Sequence, residues 1–92
     1  MSVFQAASDP AAADMLEAIL ASGSDPNVKD DSGLTPLHYA VLADNGPAVR
    51  ILLGASADPE ITDSEGWTPR DVAEEQEKLS ALQAFDRFEK LR

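Results

Sequence analysis

The sequence contains no cysteine, so disulfide bonds and thiolate metal sites are excluded, which fits a reducing compartment. Aromatic residues make up only 5% of the chain, and the core must therefore be built from Ala, Leu, Ile and Val. No apolar run approaches the length of a membrane span. The N-terminal stretch MSVFQAASDP lacks a basic segment followed by an apolar run, so we expect no signal peptide and a cytoplasmic protein. The 92 residues predict one small domain.

Basic residues are scarce as well. The chain has seven Lys and Arg residues and 17 Asp and Glu residues, which gives a net charge of −10. This charge argues against nucleic acid or an anionic membrane as partner. Eight of the acidic residues fall between Asp58 and Glu77, whereas four bases lie between Lys78 and Arg92. Two interpretations are open: the charge keeps a solvated surface soluble, or it meets a basic patch on another protein.

Two short stretches share one local pattern, a glycine followed by a Thr-Pro pair. They are GLTPLHYA at residues 33–40 and GWTPRDVA at residues 66–73. The Thr35 hydroxyl can accept a hydrogen bond from a first-turn N–H, and Pro36 suits the first helical position. Each stretch therefore predicts a turn and then a helix, and the two lie 33 residues apart.

Shifting the whole chain by 33 residues extends this match. Asp25 falls on Asp58, Leu20 falls on Leu53, and the register holds without a gap from about residue 3 to the end. Such a period is typical of stacked helical repeats. We predict three units of helix, turn and helix, joined by the projecting, hairpin-like loops SDPNVKDDSG and ADPEITDSEG, here called finger 1 and finger 2.

Helix starts can be placed from capping signals. Capping-box spacing occurs at Ser2 and Gln5, at Asp14 and Glu17, and at Ser80 and Gln83. Gly23 suits the left-handed position after a helix. The predicted helices are Ser2 to about Ser8, the segment MLEAILAS after Asp14, Pro36–Ala43, Pro47–Leu53, a helix that begins at Pro69, and ALQAFDRFEKL after Ser80.

The pattern D-x-x-G-x-T-P-L-H-x-A, which runs from Asp30 to Ala40, resembles the ankyrin repeat. The resemblance covers nearly the whole chain and implies an all-α repeat fold, an ankyrin-type solenoid of stacked helix-turn-helix pairs with projecting hairpin-like loops. It divides the chain into an N-terminal capping unit (1–29), a complete repeat (30–62) and a C-terminal capping unit (63–92). Arg70 and Asp71 replace Leu37 and His38 in the last unit, as suits a terminal repeat with one face in water.

Catalytic and metal-binding interpretations fail on spacing. His38 is the only histidine, and nothing in the sequence places it in a triad; the resemblance implies instead that it forms hydrogen bonds near its helix start. The acidic finger 2 does not fit a calcium loop, because Ile61 and Val72 would stand at the first ligand and the bidentate glutamate positions. We predict no enzyme, no cofactor and no metal site.

The resemblance implies a non-catalytic protein–protein interaction module that binds through finger tips and the exposed sides of first helices, and we expect it to be monomeric. Two alternatives stay open: a self-assembling structural subunit, or an acidic inhibitor that covers a basic surface on another protein. The residues that the resemblance assigns to partner binding are Asp31, Ser32, Leu34, Leu42, Ala43, Ser64, Glu65, Trp67, Glu75 and Gln76.

Trp67, the only tryptophan, has two interpretations. It stands where the second unit has Leu34, between the glycine of finger 2 and the following helix. It can pack over the neighbouring finger and seal the C-terminal unit. It can instead be an anchor in the partner interface, with Glu65 and Glu75 as a charged rim around one large apolar group.

Overall fold

A computed structural model describes residues 2–90, with side chains through Phe88. All regular structure in that range is helical, and the predicted stack of helix pairs is confirmed. No helix in residues 2–90 combines the length and the apolar character needed to cross a membrane. The elements are α1 (Val3–Ser8), a short 3-10 turn (Pro10–Ala12), α2 (Ala13–Ala21), α3 (Pro36–Leu42), α4 (Gly46–Gly54), α5 (Pro69–Glu75) and α6 (Leu79–Lys90).

The helices form two layers. The first helices α1, α3 and α5 pack side by side, and the second helices α2, α4 and α6 pack side by side behind them. Ala7, Ala40 and Ala73 recur at the 33-residue period on the first helices, and each is fully buried. Because a methyl group is the whole side chain, neighbouring first helices can approach closely. The larger core residues include Leu37 and Leu52, both buried completely.

Three first helices begin with the same reciprocal cap. Ser2 and Gln5, Thr35 and His38, and Thr68 and Asp71 each exchange side-chain and backbone hydrogen bonds across the first turn. The predicted box at Ser2 is therefore confirmed. The Thr-Pro pairs mark the starts of α3 and α5 as predicted.

The other two predicted boxes are wrong. α2 begins at Ala13, so Asp14 already lies within the helix. The cap is instead Asp9, whose carboxylate accepts the Ala11 N–H at 2.9 Å and begins a 3-10 turn that leads into α2. α6 begins at Leu79, so Ser80 lies within the helix. A first-turn N–H of α6, that of Ala81, donates instead to the Asp44 carboxylate at 3.1 Å, an acceptor in the preceding unit.

Left-handed residues punctuate the turns in register. Asp44 and Glu77, 33 residues apart, have φ values of 50° and 53° between the paired helices. Gly23 and Ser56 have φ values of 102° and 71° after α2 and α4. Ser56 thus adopts, just after the end of α4, a left-handed backbone conformation that favours glycine, although serine has a Cβ.

Ser56→Gly should therefore raise the free energy of unfolding by about 1 kcal/mol, the cost of a left-handed conformation for a residue with a side chain. The reverse change, Gly23→Ser, is the matched control and should lower it similarly, because a Cβ at Gly23 meets no atom within 4 Å and only the backbone cost remains. Urea unfolding measures both. Equal signs for the two variants would contradict this assignment.

The fingers are held by aspartate-centred turns. Asp30 Oδ1 accepts hydrogen bonds from the backbone N–H groups of Ser32 (2.9 Å) and Leu34 (3.0 Å), and Asp63 Oδ1 does the same for Glu65 (2.9 Å) and Trp67 (3.0 Å). The finger tips are joined, since the Ser64 N–H donates to the Ser32 carbonyl at 3.2 Å. No strand forms in residues 2–90, so the fingers are paired turns that project beside one another.

Candidate functional site

His38 links the second unit to the third. Its ring is fully buried, Nδ1 accepts from the Thr35 N–H at 3.1 Å, and Nε2 lies 2.9 Å from the Trp67 carbonyl oxygen. Because a carbonyl oxygen can only accept, Nε2 carries a proton and donates it to Trp67. The predicted hydrogen bonds near the helix start are present, and one further bond reaches the next unit.

That further bond fixes the backbone of Trp67. Its carbonyl accepts from both His38 Nε2 and the Asp63 N–H (2.8 Å), and its own N–H donates to Asp63 Oδ1. The Trp67 residue nevertheless stays 36% exposed. A large aromatic residue is thus held on a rigid backbone while part of its surface meets solvent.

A groove of about 260 Å³ opens beside Trp67. Its apolar lining is Leu34, Leu42, Trp67 and Val72, and Leu42 is 40% exposed. The groove forms where finger 2 and the helices α3 and α5 meet, so no single repeat contains it. Its polar lining is His38, Asp63, Glu65, Glu75 and Gln76. We call these nine residues the Trp67 groove.

The groove brings together six of the ten residues predicted to bind a partner, namely Leu34, Leu42, Glu65, Trp67, Glu75 and Gln76. The remaining four do not line it. Asp31, Ser32 and Ser64 are exposed on the two fingers, and Ala43 is exposed as the residue after α3. A larger groove of about 570 Å³, between finger 2 and α6, includes none of the ten.

Comparison with known protein families identifies the repeats. The sequence profile described as ankyrin repeats in three copies matches residues 3–85. The chain belongs to the ankyrin repeat family. Ankyrin repeats are generally protein–protein interaction modules. No curated protein matches the chain significantly.

The predicted ankyrin-type solenoid is therefore confirmed. The family motif from Asp30 to Ala40 occupies the end of finger 1 and the start of α3, and its histidine makes the bond to Trp67. Three lining residues of the groove were absent from the predicted set: His38, Asp63 and Val72. Val72 was considered only as a failed calcium ligand. It is the first hydrophobic residue after the Thr68-Pro69 pair, and this position on α5 was the signal that could have placed it.

The charge of this ankyrin surface is one-sided. Asp63, Glu65 and Glu75 line the Trp67 groove, and Asp71, Glu74 and Glu75 line a shallower depression that also borders Trp67. No Lys or Arg lines either of them. Helix α5, which carries Asp71, Glu74 and Glu75, also carries Arg70, and the Arg70 guanidinium forms ion pairs with Glu74 at 3.2 Å and with Asp86 at 3.0 Å.

A second polar contact ties finger 1 to α3. The Tyr39 hydroxyl donates to Asp30 Oδ2, and the Tyr39 ring lies 5.1 Å from that of Phe4, centroid to centroid. The hydrogen bond from Tyr39 lowers the pKa of Asp30 below 3.8, helped by the N–H groups of Leu34 and Ser32. The same bond, followed by burial and the charge of Asp30, raises the pKa of Tyr39 above 10.0.

These two pKa shifts predict a pH window for the contact. A lowered pKa makes the Asp30 contribution complete above pH 3.8 and lost as pH falls through the folded-state value. A raised pKa makes the Tyr39 contribution complete below pH 10.0 and lost as pH rises through the folded-state value. Wild type should therefore exceed Tyr39→Phe in unfolding free energy by a constant amount from about pH 5 to 9, and by less on either side.

Urea unfolding of both proteins across that range measures the difference. Phe4→Leu, which alters the ring contact and leaves the hydroxyl in place, is the control and should lower stability without changing the shape of the pH profile. A pH-independent difference between wild type and Tyr39→Phe would contradict the assigned contact.

Proposed function

We propose that this ankyrin repeat protein is a non-catalytic module that holds a protein partner in the Trp67 groove and against the adjoining finger tips. The observation that supports this is the meeting of finger 2, α3 and α5 at one groove with an exposed tryptophan. Aromatic residues on a fixed backbone lose little entropy when they bind, and tryptophan is enriched among the residues that dominate interface energies. Asp31, Ser32, Ala43 and Ser64 would extend the contact beyond the groove.

The charge supports a partner with a basic patch. A net charge of −10 disfavours binding to nucleic acid or to an anionic membrane, and it favours fast association with a basic protein surface at low salt. We further propose a monomeric, cytoplasmic protein with no enzymatic activity, in which units 1–29 and 63–92 cap the complete repeat 30–62. Light scattering of the pure protein tests the monomer, and a defined oligomer would favour the self-assembling subunit instead.

Trp67→Ala separates an interface anchor from a core residue. We expect the dissociation constant for a partner captured from the native host to rise about thirtyfold, the loss typical of an interface hot spot. The unfolding free energy should fall by no more than about 1 kcal/mol, because an alanine keeps the backbone bonds that hold finger 2.

Leu79→Ala is the matched control, since Leu79 is 66% exposed on α6 and does not line the groove. This variant should keep both affinity and stability. A large loss of stability in Trp67→Ala with unchanged affinity would make Trp67 a structural residue and remove the groove from the proposed interface.

A further inference from the structure

The Trp67 groove combines an apolar floor with negative charge that nothing in its lining balances. Three of its nine residues are carboxylates and none is Lys or Arg. His38 is fully buried and both of its ring nitrogens are hydrogen-bonded within the fold, so its ring is not free to pair with these carboxylates. A complementary ligand must therefore carry a positive charge next to an apolar stem.

The three carboxylates of the groove differ in whether they already form hydrogen bonds within the fold. Asp63 already accepts the N–H groups of Glu65 and Trp67 and is committed to the turn of finger 2. Glu65 and Glu75 are exposed, and among the described residues neither carboxylate forms an ion pair. These two acids therefore remain as the uncommitted negative charges of the groove that Trp67 also lines.

The same chain contains a built example of the chemistry. The Arg70 guanidinium carbon lies 5.8 Å from the centroid of the Phe85 ring, and its nitrogens bond to the carboxylates of Glu74 and Asp86. An aromatic ring and two carboxylates thus contact the same guanidinium. An aromatic face attracts a guanidinium through its quadrupole, and tryptophan does so best.

Trp67 with Glu65 and Glu75 repeats this set of groups without the arginine. The groove volume, about 260 Å³, is below the range of sites for drug-sized molecules and suits one long side chain. We infer that the Trp67 groove receives an arginine side chain from an extended segment of a protein partner, with its guanidinium at Trp67 between Glu65 and Glu75. The inference rests on the proposed function and names the partner's chemistry.

A selection from randomised displayed peptides tests the inference with no partner in hand. The wild-type protein is the bait, and an unrelated protein of similar net charge removes peptides that bind acidic surfaces in general. We expect the selected peptides to carry an arginine beside an apolar residue. A synthetic selected peptide should bind about tenfold more weakly to Trp67→Ala and to the double variant Glu65→Gln, Glu75→Gln. Replacing its arginine with lysine should cost severalfold in affinity, because lysine cannot make the planar, forked contact.

The control is the double variant Glu17→Gln, Glu60→Gln, which removes the same charge from residues that do not line the groove. It should keep the peptide affinity within about twofold, since screened charges at a distance contribute little. Thermal unfolding of each variant verifies that the fold is intact, and all four substituted glutamates are exposed.

Three results would overturn the inference. Selected peptides that need Trp67 but contain no basic residue would refute the arginine and leave the proposed function standing. Basic peptides weakened equally by both double variants would indicate a general attraction to the acidic surface and refute the groove as their site. No enrichment over the unrelated acidic protein would refute both the inference and the proposed function for extended segments.

Discussion

Gly33→Ala should lower the free energy of unfolding by about 2–4 kcal/mol, whereas the same change at Gly66 should cost about 1 kcal/mol. The two glycines are equivalent in the repeat and have similar φ values, 78° and 86°, so both alanines meet the left-handed backbone cost. Only Gly33 is crowded. A Cβ there would lie 2.9 Å from the backbone nitrogen of Ser64 and 3.3 Å from the carbonyl carbon of Asp63, whereas at Gly66 it would meet nothing within 4 Å.

The crowding atoms belong to the backbone of finger 2, which can move only by separating the joined finger tips. The Ser64 N–H would then lose its bond to the Ser32 carbonyl. Urea unfolding measures both variants, and amide exchange at Ser64 should be faster in Gly33→Ala and unchanged in Gly66→Ala. Equal destabilisation of the two variants would contradict the close packing of the fingers.

His38→Ala should have the largest effect of any change near the groove, a loss of about 3–5 kcal/mol. The ring is completely buried, so its removal leaves a cavity, and the buried Thr35 N–H loses its acceptor. The bond to the Trp67 carbonyl, which joins α3 to finger 2, is also lost. We therefore expect the position of Trp67 relative to α3 to be less fixed in this variant, in addition to the loss of stability.

His38→Asn is the graded control. In the third unit a short carboxylate does the same work, since Asp71 accepts the Thr68 N–H at 3.1 Å. Asparagine can therefore restore the cap but is too short to reach the Trp67 carbonyl, and its cost should lie between those of wild type and alanine. Chemical denaturation gives the free energies, and the fluorescence of the single tryptophan should shift to the red in both variants. Identical stability of the asparagine and alanine variants would contradict the role of the cap.

Features that depend on neighbouring residues could be predicted from the sequence. The box at Ser2, the cap at Thr35 and the glycine after α2 each rest on contacts within a few positions, and the 33-residue period is visible in the sequence itself. The start of α6 could not be predicted in this way, because Asp44 supplies an acceptor from 37 residues away. A local pattern at Ser80 was mistaken for a cap that the preceding unit provides.

The same distinction applies to the candidate site: individual exposed positions could be predicted from the sequence, and contacts between units could not. The family resemblance selected exposed positions one at a time, and six of them lie in the Trp67 groove because α3 and α5 pack in register. His38 was interpreted within its own helix, so its bond to Trp67, 29 residues away, was missed. Val72 is nearly buried and yet lines the groove, which only the packing of two units determines.

Site-specific photocrosslinking tests the central proposal, that the partner is bound in the Trp67 groove, most directly. A photoreactive phenylalanine derivative at Leu42, in the groove and 40% exposed, is compared with the same residue at Met15, on α2 and 50% exposed. The account predicts that Leu42 crosslinks to the captured partner and that Met15 does not. Crosslinking from Met15 and none from Leu42 would place the partner on the second-helix layer and contradict the account.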